Sequence, residues 1–149
     1  MVNEPKVVIN AQEHKAVIPA SQASIELVRI KGTWPFDLFP DTMIIEEKRI
    51  VIKRNNLLFS TTITMPMSRL TIFEVTHSIL FSSIHITGYT GYWIEADMQW
   101  LSYKDAQKVK DIVDGIRLKD SESIEILQHD KKTLIKTFET LGQTNTIMT

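Results

Sequence analysis

Tyr92-Trp93-Ile94-Glu95-Ala96-Asp97-Met98-Gln99-Trp100, followed almost without a loop by Leu101-Ser102-Tyr103-Lys104-Asp105-Ala106, is the stretch that decides the fold. In its first part Tyr92, Ile94, Ala96, Met98 and Trp100 make an apolar face, while Trp93, Glu95, Asp97 and Gln99 make a largely polar one. A strand of a half-buried antiparallel sheet alternates in this way. The period then changes. Ala106, Val109, Val113 and Ile116, with Ile112 beside them, recur at helical spacing, and Lys104, Lys108, Lys110, Asp111 and Asp114 take the opposite side. Ser102 with Asp105 three residues on forms a capping box with Asp in place of Glu. A helix over 102–116 that starts so soon after a strand must fold back onto that strand's apolar face. Val109 and Val113 are therefore expected to pack against Ile94 and Met98, and Gly115 to weaken the last turn.

Upstream, the same two-residue period repeats between turn signals. Met43 and Ile45 share a face, as do Ile50 and Ile52, whose neighbours Arg49 and Lys53 point the other way. Asn55-Asn56 marks a turn, because Asn tolerates left-handed backbone. A strand is expected over 57–65, with Phe59, Thr61, Ile63 and Met65 on one face, ending at Pro66, which has no N–H for a ladder. Further strands are expected over 70–77 (Thr71, Phe73 and Val75 together) and over 80–87 (Leu80, Ser82, Ile84 and Ile86 together). Two glycines within 88–91 announce a hairpin turn before Tyr92.

Strands followed by one amphipathic helix is the order of the pleckstrin-homology superfold. Particular residues extend the likeness: Phe39-Pro40-Asp41 before Met43-Ile44-Ile45-Glu46, Lys48-Arg49-Ile50-Val51-Ile52, Pro66-Met67 before Leu70-Thr71-Ile72-Phe73-Glu74-Val75, and Leu101 ahead of Asp105-Ala106. Residues 38–118 thus resemble the bacterial PH-like domains. The resemblance implies an α+β, mostly β chain: a bent antiparallel sandwich or partly open barrel of about seven strands closed by the helix. Six strands are visible in the pattern; the seventh comes from splitting a long one or from a segment before Leu38. A lipocalin-like barrel is the rival.

The 149 residues suit one domain, and a chain of that length buries roughly 68–70% of its unfolded surface. Net charge is −1, with no basic stripe of the kind nucleic acid requires, so no nucleic-acid partner is expected. There are no cysteines, which excludes disulfides and thiolate metal sites and suits a cytoplasmic protein. The first residues show no secretory signal, and no run has the length of a transmembrane helix.

Outside the central unit, residues 1–37 read as an arm. Lys6-Val7-Val8-Ile9-Asn10 and Lys15-Ala16-Val17-Ile18-Pro19 are short apolar runs, and Ile25, Leu27 and Val28 suggest a short helix over 21–31, stopped by Gly32. Residues 33–40 are the most aromatic stretch. Either Trp34, Phe36 and Phe39 pin the arm to the sheet edge, or they enter a membrane surface or partner groove. Residues 119–149 read as an extension. Ile124-Glu125-Ile126-Leu127 suggests a short strand. A second helix is expected over about 130–141. Asp130 caps it, Leu134, Ile135, Phe138 and Leu141 form its stripe, and Gly142 stops it.

The chemistry is sparse. His14, His77, His85 and His129 do not stand at metal-ligand spacing, although His77 and His85 fall on neighbouring strands. Glu95 and Asp97 share a solvated face unsuited to general acid work. No phosphate loop or nucleophile elbow occurs. No catalytic residue, metal or cofactor is expected, and the reading is non-enzymatic. In phosphoinositide-binding relatives of the resembled fold, basic residues flank the first hairpin. Here Glu46-Glu47 precede Lys48-Arg49, which disfavours a phosphoinositide although Lys53 and Arg54 remain. The leading expectation is a module for protein–protein binding or homo-oligomerisation, with Leu134 and Phe138 on a docking stripe. The alternatives are a peripheral adaptor at the inner face of the membrane, using Trp34, Phe36, Lys53 and Arg54, and a small-ligand carrier.

Overall fold

The computed structural model describes residues 24–33, 35–126 and 130–147. Among them the chain forms seven strands and two helices: β1 Glu26–Lys31, β2 Thr42–Glu46, β3 Arg49–Asn55, β4 Ser60–Pro66, β5 Leu70–His77, β6 Ser82–Tyr89, β7 Trp93–Leu101, α1 Tyr103–Glu122 and α2 Lys131–Ile147. The two early apolar runs, Trp34, His14, His129 and Leu127 lie outside the described residues. The strands make two antiparallel meanders, β1-β2-β3-β4 and β5-β6-β7. A 3-10 turn, Met67–Arg69, links them, and the two sheets do not close into a barrel.

The core lies between the sheets and under α1. Met43, Ile45, Ile50, Ile52 and Met65 come from the first sheet, and Ile84, Ile86, Ala96, Met98 and Leu101 from the second. From α1 come Val109, Ile112, Val113 and Ile116, all buried in the same cluster as Met98, with Ile94 half-buried against it. Helix α1 covers β5 and β6 most closely. The same cluster takes in Leu27 and Ile30 of β1 and Leu134 and Phe138 of α2, so the core runs through both segments that flank 38–118.

Helix α1 begins where the cap demands: Ser102 Oγ accepts from the Asp105 N–H at 3.1 Å. It runs past Gly115 to a left-handed Ser123 at φ 53°. Asp130 opens α2 by accepting from the Thr133 N–H at 3.3 Å and the Thr133 hydroxyl at 2.7 Å.

The seventh strand corrects the helix expected over 21–31. The β1–β2 register slips between Glu26 and Val28, so a bulge lets Leu27 and Ile30, three apart, both face the core. An extra residue in a strand thus imitates helical spacing. A second bulge re-aims β7. Ser82 pairs with Leu101 but Ile84 with Met98; Trp100 adopts φ 60° and turns outward, and Leu101 takes the buried place expected of it. No strand forms over 124–126.

Both helical glycines have a role other than the expected one. Gly115 lies inside α1, where an added Cβ would stand 2.0 Å from the Phe138 carbonyl oxygen. Gly142 does not stop α2, and a Cβ there would stand 1.9 Å from the Asp111 carbonyl oxygen. The pairing of 115 with 138 and 111 with 142 makes α1 and α2 antiparallel, in backbone contact. Asp111 is buried at this crossing, and its carboxylate accepts from Gln107 Nε2 at 2.8 Å and Gln143 Nε2 at 3.1 Å.

Candidate interaction surface

Chain direction puts the β1–β2 loop and the β3–β4 turn at one end of the first sheet. It puts the β5–β6 turn and the end of β7 at one end of the second. Contacts join these ends. Asn55 donates from its backbone N–H to Asp41 Oδ1 (3.0 Å) and from Nδ2 to the Pro40 carbonyl (3.1 Å), tying the β3–β4 turn to the β1–β2 loop. The Thr33 N–H donates to the Trp100 carbonyl at 2.8 Å, tying that loop to β7. The Phe36 ring then packs against Phe81 (centroids 4.7 Å apart) and Trp100 (5.9 Å), which meet each other at 5.4 Å.

The two turns at this end are near copies. Asn56-Leu57-Leu58-Phe59-Ser60 and Ser78-Ile79-Leu80-Phe81-Ser82 share the pattern of a polar residue, two aliphatics, Phe and Ser. Each is closed by the same bond, Asn56 N–H to Phe59 C=O and Ser78 N–H to Phe81 C=O, both 2.8 Å. Strands expected to begin at Leu57 and Leu80 therefore begin at Ser60 and Ser82, and the aliphatic residues become turn apices. Ile79 is 98% exposed, Leu58 79% and Leu38 in the adjoining loop 72%. Exposed apolar side chains grouped in this way make this end the candidate interaction surface. Beside Phe81 and Trp100 an open depression is lined by Thr76, Ser83 and Gln99 as well.

The residues singled out from the sequence divide. Phe36 and Phe39 lie on this end, partly exposed. Lys53 is exposed on β3, near the same end. Arg54 turns toward the other sheet, where its Nη2 lies 3.4 Å from the Asp97 carbonyl. Leu134 and Phe138 of α2 are buried in the core cluster, Phe138 completely, so these two residues of the stripe read as a docking face are spent within the chain. Residues 46–49 join the second strand to the third rather than the first to the second. Their acidic pair is engaged there, Glu46 with Arg49 at 2.6 Å and Glu47 with Lys119 at 2.9 Å. The seven residues of β3 separate it from the apolar end by roughly 20 Å. Leu57, Leu58, Leu80, Phe81 and Trp100 are the members that strand periodicity conceals, and Ile79 falls between two expected strands; the repeated Leu-Phe-Ser is the signal that points to the turns.

On the exposed face of the second sheet, Glu74, His85 and Asp97 stand in register across β5, β6 and β7. His77 is elsewhere, with Nδ1 2.8 Å from Ser82 Oγ and its ring against Tyr103. His85 Nδ1 lies 2.6 Å from Asp97 Oδ1, and Nε2 lies 3.1 Å from Thr87 Oγ1 and 3.5 Å from Glu95 Oε1. The hydrogen bond to Asp97 holds the imidazolium above the usual histidine range; partial burial opposes this, and the charges of Asp97, Glu95 and Glu74 reinforce it. A raised folded value means that the contribution is complete below about pH 6.5 and is lost as pH rises through the folded value. His85→Gln is therefore expected to lower the melting temperature most at about pH 5, the difference shrinking as pH rises through the folded value, an effect below ~1 kcal/mol for so exposed a pair. Melting curves of both proteins across pH check this, and a gap that does not vary with pH would remove the ion pair from the account.

Among the described residues no three His, Asp or Glu side chains converge to hold a metal ion, and no helix is long and apolar enough to cross a membrane. No protein-family model matches the chain, and no curated protein matches it.

Proposed function

We propose that the protein is a non-enzymatic binding module of the PH-like kind that meets its partner through the joined end of its two sheets. The order of seven strands in a four-and-three arrangement followed by a capped helix supports the PH-like reading. The observation that carries the binding reading is the concentration of exposed aliphatic side chains on two matching turns at an end that also holds the packed rings of Phe36, Phe81 and Trp100. Leaving a Leu or Ile in water rather than burying it forgoes roughly 1.5–3 kcal/mol, and several such residues side by side give a partner a large apolar gain. Leu134 and Phe138 of α2 offer no such surface, since both are buried in the chain's own core. A photoreactive side chain at Ile79, with one at the exposed Glu125 as control, tests the reading in intact cells. Position 79 is expected to form adducts with another copy, another protein or lipid, and position 125 none. Equal labelling at the two positions would show that this end is not a binding face.

A further inference from the structure

We infer that the twin turns, 56–60 and 78–82, insert their aliphatic apices into the apolar layer of an anionic lipid surface. The inference rests on the binding reading above and names its partner class.

Three features select a lipid surface over a protein groove. The first is shape. Leu58 and Ile79 stand at the apices of hairpin turns, nearly free of neighbours, rather than on the walls of a groove. Two protruding apices on separate sheets require two matched cavities on a protein, whereas a fluid apolar layer takes both without shape matching. The second is layering. Both turns lack any charged residue, and beside the apex of the second sit the rings of Phe36, Phe81 and Trp100. Tryptophan and other amphipathic rings favour the boundary between headgroups and acyl chains. The third is charge. Lys31 and Lys53 flank Thr42 in one cross-strand row at this end, and Lys104 follows Trp100 at the start of α1; all three lysines are exposed. The carboxylates of the same end, Asp37, Asp41 and Asp105, are half-buried, whereas the three lysines are exposed and reach furthest outward. Lysines placed this way meet anionic headgroups as the apices enter, and each lysine near such a surface adds to the attraction. Shallow insertion of a few side chains with a basic collar gives reversible attachment.

The chain has no cysteine, so single labels can be placed at will. Leu58→Cys, Ile79→Cys and, as control, Glu125→Cys carry an environment-sensitive fluorophore, and vesicles of phosphatidylcholine and phosphatidylglycerol in equal parts are added. The labels at 58 and 79 are expected to shift to the blue together and to be quenched by spin-labelled acyl chains, with no change at 125. The otherwise unlabelled double variant Leu58→Glu/Leu80→Glu is expected to melt like the parent, since both positions are exposed. It should bind the same vesicles about a hundredfold more weakly, roughly tenfold for each aliphatic side chain withdrawn. Vesicle binding that leaves both labels in water, or that survives the double substitution, overturns insertion. If vesicles fail to bind while Ile79 crosslinks to a second copy or another protein, the lipid inference falls and the binding reading stands. If neither vesicles nor crosslinks respond, both fall.

Discussion

Replacing Gly142 or Gly115 with alanine is expected to destabilise the protein by about 2–3 kcal/mol each and to loosen α2 from α1, although alanine is the better helix former. In a solvent-exposed helix interior the exchange gains about 1 kcal/mol. Here the new Cβ at 142 meets Asp111 backbone atoms, its carbonyl oxygen at 1.9 Å and carbonyl carbon at 2.7 Å; at 115 it meets the same groups of Phe138 at 2.0 and 2.8 Å. A flexible side chain yields at low cost, but helix backbone does not, so the helices must move apart. Overpacking of a filled core costs ~1–3 kcal/mol or more. Separation also withdraws the wholly buried Phe138 from its place and lengthens the Gln143 bond to the buried Asp111. The two contacts share one interface, so the double variant should lose less than the sum of the singles, once the first has parted the helices. Thermal melts and amide exchange in α2 measure both effects. Alanine variants that melt at or above the parent temperature would mean that the helices do not approach this closely.

Val113→Asp is expected to leave an unfolded or aggregated product. Val113 has no exposed surface and belongs to the cluster that joins α1 to both sheets. An unpaired carboxylate placed there costs several kcal/mol after relaxation, a large share of the ~5–15 kcal/mol that holds a domain together. Arg117→Glu is the control. Arg117 sits on the same helix with its side chain in water, and such substitutions usually stay within about 0.5 kcal/mol. A cooperative melt of Val113→Asp within a degree or two of the parent would show that α1 does not seal the core.

Much of the apolar end is legible in the sequence, but its residues do not read there as belonging to one end. Phe36 and Phe39 stand out in the sequence as an aromatic run, and Lys53 as a basic neighbour, but Leu57, Leu58 and Leu80 read as members of strands, and Ile79 falls between two of them. An aliphatic residue next to a strand reads as buried, and nothing local announces where a hairpin reverses. The near identity of 56–60 and 78–82 is a local signal, but its meaning depends on the exposure that the folded arrangement gives it. Arg54 shows the converse: it reads as a free cation in sequence and is turned against the second sheet by a carbonyl far along the chain.

The sequence by itself determined the elements whose causes are local. Alternation placed β2, β3, β5 and β7, the Ser102 cap placed the start of α1, Asp130 placed the start of α2, and the 134/138 spacing placed that helix's buried stripe. Only the tertiary structure decided which way several of these residues face and what the glycines are for. A strand has period two, so one inserted residue exchanges inside for outside. Such an insertion near Leu27 made a strand look like a helix, and another put Leu101 in the core and Trp100 in solvent. Gly115 and Gly142 carry the usual signature of a weakened or ended helix. Their use as a crossing point exists only because a second helix lies against them, and a contact between residues so far apart in sequence leaves no periodic trace in either segment.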